Sequence, residues 1–188
     1  MKVRDSGMPD ELVWEEFFEP EKILRALGFS HKTESVVEFG CGYGTFTVAA
    51  ARMIAGIVHS LDIESAMIET TRQKATKLNL TNIELHLRDF IANGTGLEDG
   101  TADYAMMFNI LHAENPHLLL DEAHRVLSSG GTLAIIHWNY DPSTPRGPSL
   151  DIRPRPNQVR DWMEKSGFRQ VSSPLALPPY HYGIIAVK

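Results

Sequence analysis

Three alternating glycines, Gly40, Gly42 and Gly44, follow a short apolar run that ends at Phe39. Glycine adopts positive φ readily and carries no Cβ, so a turn of this kind lets the backbone approach a ligand closely. A helical pattern begins at Thr45, and the first N–H groups of a helix have no partner within it. By itself the pattern is equally typical of a tight strand-to-helix connection that binds nothing.

Two carboxylates follow the next two predicted strands. Asp62 lies about 20 residues beyond the glycines, the offset at which an acid binds ribose hydroxyls in such folds. Asp89 with its neighbour Phe90 could accept a hydrogen bond from an adenine amino group and pack an apolar ring beside it. The alternatives are that Asp62 caps the helix beginning near Ser65, and that Asp89 is an ordinary loop acid.

The elements that position these residues alternate along the chain. Strands are predicted over 35–39, 56–61, 83–87, 102–110, 132–138, 168–172 and 183–187. Helices are predicted over 45–55, 64–78, 116–127 and 158–166, after a helical segment 6–28 that is capped by Asp10 or Ser6 and interrupted at Pro20. This alternation predicts a doubly wound α/β sheet that binds its ligand beyond the carboxyl ends of the strands. The short connection between the last two strands predicts an antiparallel pair at one edge.

Together these residues resemble the class I S-adenosylmethionine (SAM)-dependent methyltransferases, in particular the small single-domain type 11 group. Glu38 and the glycines match that family's first motif, Asp62 its ribose acid, and Asp89 with Phe90 its adenine motif. Residues 103–112, DYAMMFNILH, are similar to the fourth motif, and residues 127–133, LSSGGTL, to the turn before strand five. The resemblance covers residues 30–138 well and implies one domain over 1–188, with a Rossmann-like, mostly parallel seven-stranded sheet and an antiparallel edge strand.

The resemblance also implies SAM as cofactor and assigns roles to residues of this chain. Glu38 would help to hold the methionine amino group, often through water. Asn109 would lie beside the sulfonium, and Ile63 would pack on the adenine. The turn Gly40, Cys41, Gly42 and Gly44 would complete the cofactor site.

Two other functions remain open. A nicotinamide oxidoreductase carries Gly-x-Gly-x-x-Gly, which in register with Gly40 would need a third glycine where Thr45 stands. Glu38 would also repel a pyrophosphate. The second alternative is a regulatory or inactive subunit that binds SAM without turnover.

Candidates for the acceptor side follow the fourth and fifth strands. His112 and His137 are possible general bases, since imidazole titrates near neutral pH. Trp138 is either a platform for substrate or a packing residue. Arg153, in the Pro-rich loop 139–157, could clamp an anionic acceptor or be an ordinary solvated charge. The N-terminal segment 1–30 is either a lid over the site or a helical segment packed on the sheet.

Composition narrows the choice of partners. The 188 residues carry a net charge of -6, so nucleic acid is not the expected partner. Cys41 is the only cysteine and no apolar stretch is long enough to span a bilayer, which predicts a cytoplasmic protein without membrane attachment. No Cys/His cluster indicates zinc, and we expect no metal. We expect a monomer or homodimer that acts on a small molecule.

Overall fold

A computed structural model describes residues 8–188 and contains one seven-stranded sheet in the order β3-β2-β1-β4-β5-β7-β6. Its strands are β1 (Ser35–Phe39), β2 (Ile57–Asp62), β3 (Ile83–Leu87), β4 (Ala102–Phe108), β5 (Leu127–Trp138), β6 (Leu175–Leu177) and β7 (His181–Val187). Its helices are α1 (Glu11–Glu15), α2 (Pro20–Ala26), α3 (Thr45–Met53), α4 (Ser65–Lys77), α5 (Phe90–Asn93), α6 (Pro116–Val126) and α7 (Pro156–Lys165).

The strand directions confirm the predicted doubly wound sheet. The first five strands pair in parallel, and each is separated from its neighbour along the chain by a connection that contains a helix. The last strand, β7, is antiparallel to both β5 and β6. Only a three-residue connection joins β6 to β7, which is too short for a parallel crossover and therefore fixes a hairpin at this edge.

Two apolar clusters cover the two faces of the sheet. Successive residues of a strand point to opposite faces, so Val36 belongs to one cluster and Val37 to the other. The first cluster packs the sheet against the N-terminal helices and α3, and the second packs it against α5, α6 and α7. Helices on both faces leave the carboxyl ends of the parallel strands as the open edge.

The predicted strand 168–172 is wrong. Arg169 makes only an isolated bridge to Val187, and the edge strand is instead β6, farther along the chain. Gln170 has a φ of 53°, which breaks the extended backbone that a strand requires. The short helix α5 was not predicted. Its first turn is capped by Asp89, whose Oδ1 accepts from Ala92 N at 2.9 Å.

The N-terminal segment forms two short helices. Asp10 caps α1 by accepting from Val13 N, whereas the alternative cap Ser6 lies outside the described residues. The predicted interruption at Pro20 is the first residue of α2, where a missing N–H costs no hydrogen bond. Lys74 of α4 contacts the carboxylates of Glu11 and Glu15 at 2.6 and 2.8 Å and so ties α1 to the body of the domain.

Within residues 8–188, every helix is too short or too polar to cross a membrane.

Candidate active site

A cavity of about 360 Å³ lies at the carboxyl ends of the parallel strands. It brings together most of the residues predicted from the sequence: Glu38, Gly40, Cys41, Gly42, Asp62, Ile63, Asp89, Phe90, Asn109, His112 and Trp138. Among residues 8–188, the predicted site residues Gly44, His137 and Arg153 lie outside its lining. The strand ends therefore meet as expected. The positions of the three residues outside the cavity are explained by their own contacts.

The glycine turn serves two different contacts. Gly42 lines the cavity with a φ of +51°, and a Cβ there would lie 3.1 Å from Cε of Met8. Gly44 has a φ of +76° and faces α4 instead, where a Cβ would lie 2.8 Å from Thr71 Oγ1. Gly42 thus keeps backbone bare at the cavity, while Gly44 lets α3 and α4 approach.

Asp62 fixes the turn and faces the cavity. Its Oδ2 accepts from Gly42 N at 2.9 Å and its Oδ1 accepts from Glu64 N at 2.9 Å. Glu64, not Asp62, is the N-cap residue of α4, so the simple capping alternative does not describe Asp62. A carboxylate has about four acceptor positions, so two remain for ligand hydroxyls.

Glu38 is buried beneath the turn. The hydroxyls of Thr47 and Ser60 both donate to its Oε2, and burial raises the pKa of this carboxyl to about 7. A cationic group in the cavity would favour the charged carboxylate and lower that pKa. Thr47 and Ser60 could not be identified from local patterns, because both lie in the interior of regular elements.

Cys41 lines the cavity and has an unreactive thiol. Its thiol is buried and accepts from Thr71 Oγ1 at 3.5 Å. Burial raises the pKa of the thiol far above its ordinary value, so the group stays protonated at neutral pH. A protonated thiol is a poor nucleophile, which fits a role in lining the cavity.

Asp89 and Phe90 also line the cavity. The N–H of Ala92 holds the pKa of Asp89 below its ordinary value, so this acid is an ionised acceptor at the cavity edge. The Phe90 ring packs edge-on against Phe39 with centroids 5.7 Å apart. A rigid aromatic wall next to a carboxylate suits a flat ligand with an amino group on its rim.

Asn109 is the clearest indication of a ligand. It follows β4 with a φ of 57°, and its N–H donates to Ile136 O at 2.7 Å. Its side chain is buried and lines the cavity, yet neither Nδ2 nor Oδ1 makes a hydrogen bond to any described residue. Buried amides without partners are costly, so a polar ligand group is expected to satisfy this one.

Of the two predicted histidines, only His112 lines the cavity. His137 is fully buried, with its ring centroid 5.7 Å from that of His112. Neighbouring residues of a strand face opposite ways, and Trp138 takes the side toward the cavity. Burial and the nearby His112 hold the pKa of His137 well below its ordinary value, so this ring is neutral.

Arg153 turns into its own loop rather than toward the cavity. Its guanidinium donates to the carbonyl oxygens of Pro148, Asn139 and Arg146 at 2.7, 2.9 and 3.2 Å. Within residues 8–188, no part of the loop 139–157 lines the cavity. The predicted clamp on an anionic acceptor therefore has no geometry to support it.

Two residues of the N-terminal segment close the cavity on that side. Met8 and Trp14 both line it, and Trp14 packs against Phe18 and Trp138 with ring centroids 4.9 and 6.3 Å away. The segment therefore packs on the sheet and also walls the site. The helical pattern of the segment does not distinguish these two side chains from their neighbours.

Comparison with known proteins agrees with this geometry. Residues 30–173 match the family described as Methyltransferase domain. A SAM-dependent methyltransferase from Aquifex aeolicus has a TM-score of 0.82 and 28% identity, with 94% of this chain and 93% of that one covered. The chain belongs to the SAM-dependent methyltransferase family, whose cofactor is S-adenosylmethionine. The family assignment overturns the oxidoreductase alternative.

The curated relatives differ in what they methylate. Aklanonic acid methyltransferase DauC of Streptomyces sp. (strain C5) is 32% identical over 104 residues, which are 54% of this chain and 46% of DauC. Ribosomal protein L11 methyltransferase of Clostridium botulinum (strain Eklund 17B / Type B) is 32% identical over 113 residues, which are 57% of this chain and 33% of that protein. The chain thus spans a third to a half of the length of these relatives.

The residues present fit this cofactor. The unpaired Asn109 amide, the bare backbone at Gly42 and the acids Asp62 and Asp89 all face one cavity. A buried acid, Glu38, also lines the cavity. The acids and the amide in this cavity suit hydroxyl, amino and ammonium groups rather than a phosphate.

Proposed function

We propose that this chain catalyses methyl transfer from SAM to a small-molecule acceptor. The observation that carries the proposal is one cavity lined by the acids and the unpaired Asn109 amide and also by the aromatic side chains of Trp14 and Trp138. SAM supplies an electrophilic methyl group on a sulfonium. The protein's task is to align the acceptor with that methyl group and to exclude water.

The cofactor side is assigned residue by residue. Asp62 accepts from ribose hydroxyls, and Asp89 accepts from the adenine amino group beside Phe90. Glu38 supports the ammonium, directly or through water. Asn109 places its amide at the boundary between cofactor and acceptor. Gly40, Cys41, Gly42 and Ile63 complete the surface, whereas Gly44 acts through helix packing.

Two features support a small acceptor over a protein. The side chains that line the cavity beyond the assigned cofactor residues include the apolar Met8, Trp14 and Phe108. Met8 and Trp14 of the N-terminal segment are among these lining residues and give the cavity an apolar wall that suits a small apolar acceptor. Trp138 is buried behind them and offers an apolar surface rather than an exposed docking face.

His112 is the proposed general base. It lines the cavity and follows Asn109 by three residues in the chain, and an imidazole there can take a proton from a hydroxyl, thiol or ammonium acceptor. An acceptor that carries no proton would need no base. His137 lies behind His112, outside the cavity, and we assign it no contact with substrate.

An acceptor screen tests the proposal. Candidate phenols, carboxylic acids, thiols and amines are incubated with the chain and SAM, and release of S-adenosylhomocysteine is measured. Turnover of at least one small acceptor, lost in Asn109→Gly, supports the proposal. Saturable SAM binding with no turnover on any small acceptor would favour the regulatory alternative. Turnover on a protein substrate alone would show that the acceptor is a protein and not a small molecule.

A further inference from the structure

A cluster of three side chains lies on β2 and β3, apart from the cavity. His59 of β2 is paired directly with Glu84 of β3, and His86 lies two residues farther along β3. Residues two apart on a strand share a face, so all three side chains project from the same side of the sheet. None of them lines the cavity.

The donor atoms converge on one point. His59 Nδ1 lies 3.0 Å and His86 Nε2 lies 3.8 Å from Glu84 Oε2, and the donor atoms of the group all lie within 4.8 Å of one another. Zinc with bonds of about 2.0–2.1 Å places tetrahedral ligands about 3.4 Å apart. The two observed distances bracket that spacing.

The two imidazole nitrogens lack other partners. Nδ1 of His59 and Nε2 of His86 are buried and make no hydrogen bond of acceptable geometry to any described residue. Arg88, the cation beside His86, is occupied by the carbonyls of Gly94 and Asn93.

We propose that His59, Glu84 and His86 form a binding site for a borderline divalent transition-metal ion, with Zn²⁺ as the reference ion. Two imidazoles and one carboxylate favour such an ion over Mg²⁺ or Ca²⁺, which prefer oxygen ligands. Three protein ligands leave a coordination position for water. The side chains of Glu84 and His86 are 52% and 34% exposed, so the ion has a path from solvent. The bound ion cross-links β2 to the edge strand β3.

The test is calorimetric titration of the tag-free chain with Zn²⁺, alongside Mg²⁺. Glu84→Gln and His86→Gln remove ligands that are only partly buried, and His31→Gln is the matched control at an exposed histidine. We expect one Zn²⁺ per chain, at least tenfold weaker binding in both ligand variants, unchanged binding in the control and no saturable binding of Mg²⁺. Zn²⁺ should also raise the melting temperature of the wild type by mass action.

Two results would overturn the site. The first is the absence of saturable Zn²⁺ binding, which would leave the His59 and Glu84 side chains as a simple contact between neighbouring strands. The second is Zn²⁺ binding that is equally strong in His86→Gln and His31→Gln, which would place the ion elsewhere. The proposal is independent of methyl transfer, so neither result bears on the cavity.

Discussion

The Asp62 carboxylate binds the backbone N–H of Gly42, with Oδ2 and N 2.9 Å apart across 20 residues of sequence. The acid proposed to hold the ribose therefore also fixes the turn that approaches the ligand. Because one carboxylate contacts both Gly42 and the ribose, we expect the shape of the turn and the affinity for the cofactor to be coupled.

Asp62→Asn tests this coupling. The variant keeps one acceptor oxygen but loses the charge, and charge-assisted hydrogen bonds contribute about 1.5–3 kcal/mol each. We expect affinity for S-adenosylhomocysteine to fall about tenfold or more by calorimetry. Asp161→Asn, at an exposed acid of α7, should bind like the wild type. Equal affinity in the two variants would remove the ribose assignment.

Asn109→Gly tests the unpaired amide. Glycine tolerates the φ of 57° at this position, so the variant deletes the side chain without straining the backbone. We expect weaker binding of S-adenosylhomocysteine with little change in melting temperature. Asn79→Gly is the matched control, since Asn79 is exposed and has a φ of 55°. The assignment fails if the two variants bind alike.

Glu38→Gln tests the raised pKa. The folded-state pKa of about 7 exceeds the ordinary value of 4.5, so the stabilising contribution of Glu38 is complete below pH 4.5 and is lost as the pH rises to 7. The free energy of unfolding of the wild type relative to Glu38→Gln should fall across this window, by roughly 3 kcal/mol in total. Denaturant titrations at several pH values measure it.

The exposed Glu16→Gln provides the control for that series. Its free energy of unfolding should run parallel to that of the wild type between pH 4.5 and 8. Parallel curves for Glu38→Gln as well would contradict the buried, proton-binding state of Glu38.

Arg153→Lys tests the loop assignment. Lysine cannot reproduce the several hydrogen bonds that the guanidinium donates to loop carbonyls. A loss of about 2 kcal/mol would lower the melting temperature by about 4–8 °C for a domain of this size. Affinity for S-adenosylhomocysteine should not change. Arg169→Lys, a control at an exposed arginine, should change neither the melting temperature nor this affinity. A drop in acceptor affinity with unchanged stability would restore the clamp.

His112→Gln tests the general base once an acceptor is known. General-base catalysis contributes about 100-fold or more, so kcat should fall by at least that factor, while affinity for S-adenosylhomocysteine is retained. His117→Gln, at the second residue of α6, serves as the control. An unchanged kcat and pH profile in His112→Gln would show that the acceptor needs no base.

Local patterns were enough to predict which residues meet at one edge of the sheet. The glycine turn, Asp62 and Asp89 each lie at the end of a strand, so the fold itself brings them to one edge. Helix α3 and strand β3 were predicted nearly to the residue, because the periodicity of each depends only on residues close together in the chain.

Features that depend on packing were not predictable in this way. Arg153 is buried by carbonyls of its own loop, and Gln170 interrupts a strand-like segment with a positive φ. The alternation of side chains along β5 could have separated His137 from Trp138, because adjacent residues cannot face the same side. The pairing of His59 with Glu84 depends on strand register, which local spacing does not reveal.

The most direct test of the site is a crystal structure of the chain with S-adenosylhomocysteine. We predict ribose hydroxyls within hydrogen-bond distance of Asp62, the adenine against Phe90 with its amino group toward Asp89, and the sulfur facing the end of the cavity that holds Asn109 and His112. A ligand bound outside this cavity, or one whose ribose lies away from Asp62, would contradict the account.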